Sequence, residues 1–342
     1  MKILFLTNLF YPHIGGIEVN SEILAGCFSQ AGHEVRLVTW AAEPGDQVFP
    51  YPVLRNPGMW TLIRAHLWAD VVFENNPCLK LAWPAFFLRK KSVVAMRTWI
   101  QRDGGQMGWQ DRLKIKWLGR AAGVIAVSNT LREAYFEQAV VIGNPYRDQL
   151  FRRSATIPPP GTFVFLGRLV NDKGADLAIA AIARMIKADG LVLRLTVIGD
   201  GPELAQLKQM AVDLDIENHV TFTGPLSGHG LVDVLNKHAY LLVPSQLKEP
   251  FGNVALEGMA CGCVPIVSSG GGLPDAVGRA GLVFERGNLD ALVDTIRTLL
   301  ANPELEAQLR RNAAAHLSNH LPEIVALKYL AVIQQAYKKK GI

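Results

Sequence analysis

Two glutamates, Glu249 and Glu257, stand in the segment Pro244-Ser245-Gln246-Leu247-Lys248-Glu249-Pro250-Phe251-Gly252-Asn253-Val254-Ala255-Leu256-Glu257, followed by Gly258-Met259-Ala260-Cys261-Gly262. A strand should end at Pro244 and a helix open near Gly252–Asn253, which leaves one carboxylate at the mouth of the turn and the other deeper in the helix. Carboxylates so placed can accept hydrogen bonds from two sets of vicinal hydroxyls, such as those of a sugar and a ribose. A helix that opens at the C-terminal edge of a parallel sheet also aims free N–H groups and a partial positive charge outward, where a diphosphate would sit. The plainer alternative is a loop charge and a surface helix residue. The small residues after Glu257 favour a close-packed helix, where a solvated charge is unexpected.

Cations of a matching kind lie in Leu166-Gly167-Arg168-Leu169-Val170-Asn171-Asp172-Lys173-Gly174. Arg168 offers a rigid fork and Lys173 a mobile point charge, both beyond the end of a strand, a combination suited to a pyrophosphate. Solvated surface cations are the alternative. The segment is not a G-x-x-x-x-G-K-[ST] loop. Near the N-terminus, Tyr11-Pro12-His13-Ile14-Gly15-Gly16-Ile17-Glu18 places His13 and a glycine pair before the first helix, where a ligand can approach the backbone. Gly199 in Val197–Pro202, and Gly224 and Leu226 in Phe222–Leu226, could wall a nucleobase or be ordinary strand-to-helix turns.

Positioning these groups takes an alternation of strands and helices, which appears twice. Lys2–Leu6, Glu34–Thr39, Val71–Glu74, Ser92–Met96 and Gly123–Val127 read as a first parallel sheet, with Gly16–Gly32 a helix carrying Ile17, Ile23, Leu24 and Phe28 on one side. Thr162–Gly167, Leu193–Ile198, Val220–Thr223, Tyr240–Val243 and Val264–Val267 read as a second, with helices near Gly174–Ala188 and Glu203–Leu214. The 342 residues, 49% apolar and 19% charged, suit two domains with large cores. The Pro158-Pro159-Pro160-Gly161 run places the junction after Arg153. The expected domains are 1–153, 154–320, and a terminal helical segment 321–342.

Taken together, GRLVNDKG, VIGDGPE, FTGPL, VPSQLKEPFGNVALEGMACGCVPIV and SSGGGLPDAV, in order from Val164 to about Leu300, resemble glycosyltransferase family 4. These are retaining enzymes of the GT-B fold, an α/β architecture of two facing Rossmann-like parallel-sheet domains with an inter-domain cleft. The resemblance implies that domain 1–153 takes the acceptor and domain 154–320 a nucleotide-sugar, with the terminal helix returning to the first domain. It implies that Arg168 and Lys173 stabilise the leaving diphosphate, that Glu249 touches donor sugar hydroxyls and that Glu257 holds the ribose diol. Backbone at Phe251, Gly252, Asn253 and Val254 would meet sugar and phosphates, and Gly15-Gly16 would abut the diphosphate. Where many members carry a histidine after the fourth N-terminal strand, Val93-Val94-Ala95-Met96-Arg97 has Arg97, a candidate with His13 for contacting the acceptor or an anionic sugar.

The implied activity is transfer of a sugar to a hydroxyl of a glycan, lipid-linked or small-molecule acceptor. Attack on the front face is implied, a donor phosphate oxygen taking the acceptor proton. Cations and a helix N-terminus supply the charge compensation, so neither metal nor cofactor is expected. Asp213-Leu214-Asp215 falls at a helix exit and reads as a solvated terminus. A nucleotide-sugar 2-epimerase and a non-catalytic nucleotide-sugar binding protein are the competing readings.

The net charge of +5 is too mild to point to nucleic acid. The excess is uneven, with 18 Lys/Arg against 12 Asp/Glu in residues 1–153. Leu79–Lys91 and Asp111–Arg120 interleave Trp83, Phe86, Phe87 and Trp117 with eight basic residues, as a surface facing anionic lipid would; a core face with a basic rim is the alternative. Four scattered cysteines give no disulfide or zinc framework. With no signal-peptide or membrane-spanning pattern, the expected location is cytoplasmic, with peripheral contact at the inner face of the membrane as an option.

Overall fold

Apolar runs with few charges fold as parallel strands when helices cover both faces, and every paired strand here is parallel. A computed structural model of the chain describes residues 1–13, 15–43, 45–101, 107–155 and 158–339. It divides into two units, Met1–Pro145 with Pro322–Ile342, and Tyr146–Leu321. The first edge precedes the proline run: Tyr146 N donates to His320 O, and Asn236 bonds Arg152 and Ser154, so residues from 146 onward are tied to the second unit.

The first unit holds β1 (Lys2–Thr7), β2 (Glu34–Thr39), β3 (Val53–Arg55), β4 (Val71–Asn75), β5 (Ser92–Met96), β6 (Gly123–Ala126) and β7 (Val140–Val141), in the order β3-β2-β1-β4-β5-β6-β7. The order in which successive strands are added reverses between β1 and β4, the switch point beside which open α/β sheets place ligands. On one face Phe5, Phe28, Phe73 and Tyr329 form an aromatic cluster; Phe73 lies 4.9 Å from Phe5 and 5.8 Å from Tyr329. Tyr329 belongs to the terminal helix Pro322–Lys338, whose Val325, Leu330 and Ile333 are buried in the same core. The helix can approach because Gly123 lacks a side chain: a Cβ there would stand 3.0 Å from Val332 Cγ1.

The helix Gly16–Gln30 buries Leu24 and Phe28 of the face expected from apolar spacing, with Asn20, Ser21 and Ala25 beside them, and leaves Ile17 and Ile23 half-buried. Two polar residues on the buried face shift it partly away from the apolar stripe.

The second unit holds β8 (Thr162–Leu166), β9 (Arg194–Ile198), β10 (Val220–Gly224), β11 (Tyr240–Val243), β12 (Val264–Ser268) and β13 (Leu282–Phe284), in the order β10-β9-β8-β11-β12-β13. Its switch point lies between β8 and β11. The helix Ala175–Asp189 buries a nearly continuous Ala/Leu/Ile face beside Phe163 and Tyr240, whose rings stand 5.0 Å apart. Among the described residues no helix is long and apolar enough to cross a membrane.

Candidate active site

The two loops at the β8/β11 switch point are stitched together through their backbones. A short 3-10 turn, Asn171–Lys173, follows β8, and Asp172 O accepts from Gln246 N at 2.8 Å and Leu247 N at 3.3 Å in the loop after β11. Gly174 has φ +74°, and a Cβ on it would collide with Pro244 O, so only glycine lets the turn lie this close. The result is an ion pair between Lys173 Nζ and Glu249 Oε1, both partly buried. Ser245 Oγ donates to the same Glu249 oxygen at 2.9 Å, and Ser268 Oγ, at the end of β12, fixes Ser245 by donating to its carbonyl at 2.6 Å.

The run Gly270-Gly271-Gly272 holds the other side of the Glu249 loop. Gly272 N donates to Glu249 O at 2.7 Å, and a Cβ on Gly271 would stand 2.8 Å from Glu249 N. The chain then turns through Gly252, φ +113°, into the helix Asn253–Ala260. Phe251 is buried, while Asn253 and Val254 open the helix half-buried.

Glu257 lies on that helix, which packs on β11 where a Cβ at Gly258 would come 2.6 Å from Leu241 Cδ2. Its surroundings strip water from the carboxyl and push it up to about 7, with Arg147 acting in the opposite direction. Ser245 and Arg147 escaped the sequence reading. Ser245 adjoins the quoted strand end and so carried a signal; Arg147 is remote in sequence from Glu257 and carried none.

Arg168 is exposed just beyond β8, and its guanidinium has no partner among the described residues. Gly199, φ +144°, ends β9 against Gly167 O, and its N–H donates to Gly224 O at 3.0 Å. Gly224 has open space around it, and Leu226 is half-buried beyond β10.

The remaining candidates, His13, Gly15, Gly16 and Arg97, belong to the first unit. His13 is exposed, and Gly15 caps the helix Gly16–Gln30 with Glu18 folded toward it. Arg97 is 4% exposed, directly beyond β5. Its Nε donates to Asn75 Oδ1 at 2.7 Å and its Nη1 to Asn144 Oδ1, and its Cζ stands 5.2 Å from the Tyr329 ring centroid.

The chain is similar to known proteins over most of its length. The family described as glycosyl transferases group 1 matches residues 147–316. The phosphatidylinositol N-acetylglucosaminyltransferase gpi3 subunit of Schizosaccharomyces pombe is 32% identical over 342 aligned residues, covering 87% of this chain and 72% of that protein. The chain belongs to glycosyltransferase family 4. A second relative of this glycosyltransferase, the GDP-mannose-dependent alpha-(1-6)-phosphatidylinositol monomannoside mannosyltransferase of Mycobacterium tuberculosis, is 25% identical, covering 87% of the chain and 89% of the relative. The fold matches that of Anabaena HepE in complex with UDP at a TM-score of 0.81 and 20% identity, over 98% of this chain and 100% of that one. The two-sheet α/β architecture of the glycosyltransferase is thus the GT-B fold.

Proposed function

We propose that this glycosyltransferase moves a sugar from a nucleotide-diphosphate donor to a hydroxyl acceptor with retention of anomeric configuration and without metal. The observation that carries the reading is the Lys173–Glu249 pair, held by Ser245 and aligned beside the N-terminus of the helix Asn253–Ala260. Lys173, Arg168 and the helix N-terminus compensate the charge of the departing diphosphate. Glu249, tied to a cation and a hydroxyl, is a poor nucleophile and a good acceptor for sugar hydroxyls, which favours front-face attack over a glycosyl-enzyme. Glu257 takes the ribose diol, Phe251–Val254 present backbone to sugar and phosphates, and Gly199, Gly224 and Leu226 complete the donor surroundings on the second unit.

GDP-mannose in the name of one relative and UDP in the HepE complex support a nucleotide-sugar donor. Phosphatidylinositol in the names of two relatives supports a lipid-linked acceptor. Exposed aromatics on the first unit support contact of that unit with an anionic membrane surface: Phe87 is 72% and Trp109 73% exposed.

A thermal-shift screen of UDP-, GDP- and ADP-sugars selects the donor, since selective binding raises the unfolding temperature with ligand concentration. With that donor, nucleotide release should require an added acceptor, which separates transfer from epimerisation, and should survive EDTA. Lys173→Ala and Glu249→Ala should each abolish turnover in a folded protein. Near wild-type rates in either variant, or an inverted product by NMR, would overturn the assignment.

A further inference from the structure

The first unit contains a buried cation that no acidic side chain among the described residues neutralises. Arg97 is bound by Asn75 and Asn144, its own N–H donates to Asn76 Oδ1 at 3.1 Å, and a tyrosine ring lies beneath it. All of these partners are neutral. Among the described residues no carboxylate pairs with it and its buried Nη2 meets no acceptor. The hydroxyl of Tyr329, the ring under the guanidinium, is likewise buried and unpartnered.

An arginine that served only to hold the fold would be expected to gain a carboxylate, because a buried charge without a counter-charge is strongly unfavourable. Here the sequence supplies asparagines instead: Asn75 and Asn144 orient the guanidinium, Asn76 holds the Arg97 backbone, and one edge of the fork is left unused. The orientation is propagated further. Asn75 Nδ2 donates to Ser21 Oγ at 2.7 Å, and Ser21 lies 3.2 Å from Thr7 Oγ1, so the network runs from the end of β1 through the end of β4 to the residue after β5. That is the carboxyl edge of the sheet at its switch point, where open α/β sheets receive ligands.

We propose that Arg97 forms an oxyanion subsite, with Nη2 binding a carboxylate or phosphate oxygen of a substrate. The proposal rests on the glycosyltransferase reading above and adds the charge class of a substrate to it. Two sources share this chemistry, the carboxylate of a uronosyl donor and the phosphate of an acceptor, and paired ligands that differ only in the anion distinguish them. A charge-assisted bond to arginine corresponds to about tenfold or more in affinity.

Calorimetric titration of the full chain compares UDP-glucuronate with UDP-glucose, and, with UDP present, myo-inositol 1-phosphate with myo-inositol. In one pair the anionic member should bind at least about tenfold more tightly, and Arg97→Gln should erase that preference while leaving affinity for UDP intact. Arg97→Lys, which keeps the charge in a smaller head, should retain part of it. Equal affinities within both pairs for the wild type would overturn the proposal without any variant. A preference that survives Arg97→Gln would overturn it as well. Absence of binding by every nucleotide, UDP included, would instead count against the donor assignment, so the two failures are separable.

Discussion

Two carboxyl groups, one in each unit, are held far from the ordinary carboxylate range by burial, and the consequences differ. Glu257 is raised to about 7, and only its ionised form offers both oxygens to a diol. Donor affinity should therefore fall as pH drops from 8 to 6, by up to about tenfold if the ionised form alone binds. Calorimetry with the selected nucleotide-sugar at those pH values checks this, and Glu257→Gln should flatten the profile. Glu74, fully buried, is also raised to about 7 by desolvation, although Trp117 Nε1 and Cys78 N both donate to it at 2.8 and 3.1 Å. Between about pH 4.5 and pH 7 the native state keeps a proton that the unfolded chain has released, so stability falls as pH rises through that interval. The effect is about 3 kcal/mol at full extent. Glu74→Gln loses one acceptor at every pH but should remove the slope, so urea titrations at pH 5 and pH 8 should show the wild type losing about 2.5 kcal/mol more than the variant. Parallel losses would mean that Glu74 is not neutral in the native state.

The turns after strands show which glycines the elements require. A Cβ on Gly199 would collide with the carbonyl of Gly167 where β8 and β9 end side by side, and the residue is at φ +144°. Gly199→Ala should cost more than about 3 kcal/mol, whereas Gly224→Ala, at φ +74° in open space, should cost about 1. Chemical denaturation of the two variants tests the difference, and equal effects would mean that packing does not constrain Gly199. The long strands were legible because five or six apolar residues bounded by turns leave few alternatives; β3, β7 and β13 were not, because two or three residues at a sheet edge carry no period. The helix Gly16–Gln30 was legible as an element but only in part as a face: Leu24 and Phe28 are buried as apolar spacing assigns them, while Asn20 and Ser21 take buried positions that it assigns to Ile17 and Ile23. Among the candidate residues, Lys173 and Glu249 were singled out by residue type and by their places beyond strand ends, but their direct ion pair was not, and the partners of Arg97 come from positions 75, 76 and 144, which only folding brings together.

At the scale of the chain, the uneven charge and the exposed aromatics meet in one region of the first unit. The helices Leu79–Phe87 and Trp109–Leu118 bury Leu81, Ala82, Ala85 and Leu118, yet leave Phe86, Phe87, Trp109 and Leu113 exposed. Some neighbouring cations are structural: Lys90 Nζ donates to Leu67 O and Ala69 O, and Lys91 Nζ to Tyr337 O. Others remain at the surface, with Lys80, Arg89, Arg112 and Lys116 exposed and Arg120 over the Phe86 ring at 4.5 Å. Phe86, Arg89 and Arg120 line a groove of about 470 Å³ with Trp117. A core face with a basic rim would have hidden the phenylalanines, so their exposure favours lipid. Each basic residue near an anionic bilayer contributes about 1 kcal/mol, screened by salt, while inserted rings add a part that salt does not remove. The chain should therefore pellet with phosphatidylcholine vesicles containing phosphatidylserine at low salt, and much less at about 1 M, where the screening length is about 3 Å. Phe87→Asp with Trp109→Asp should weaken pelleting while leaving nucleotide-sugar affinity unchanged. If the chain stays in the supernatant at low salt, the membrane assignment fails and the exposed rings need another partner.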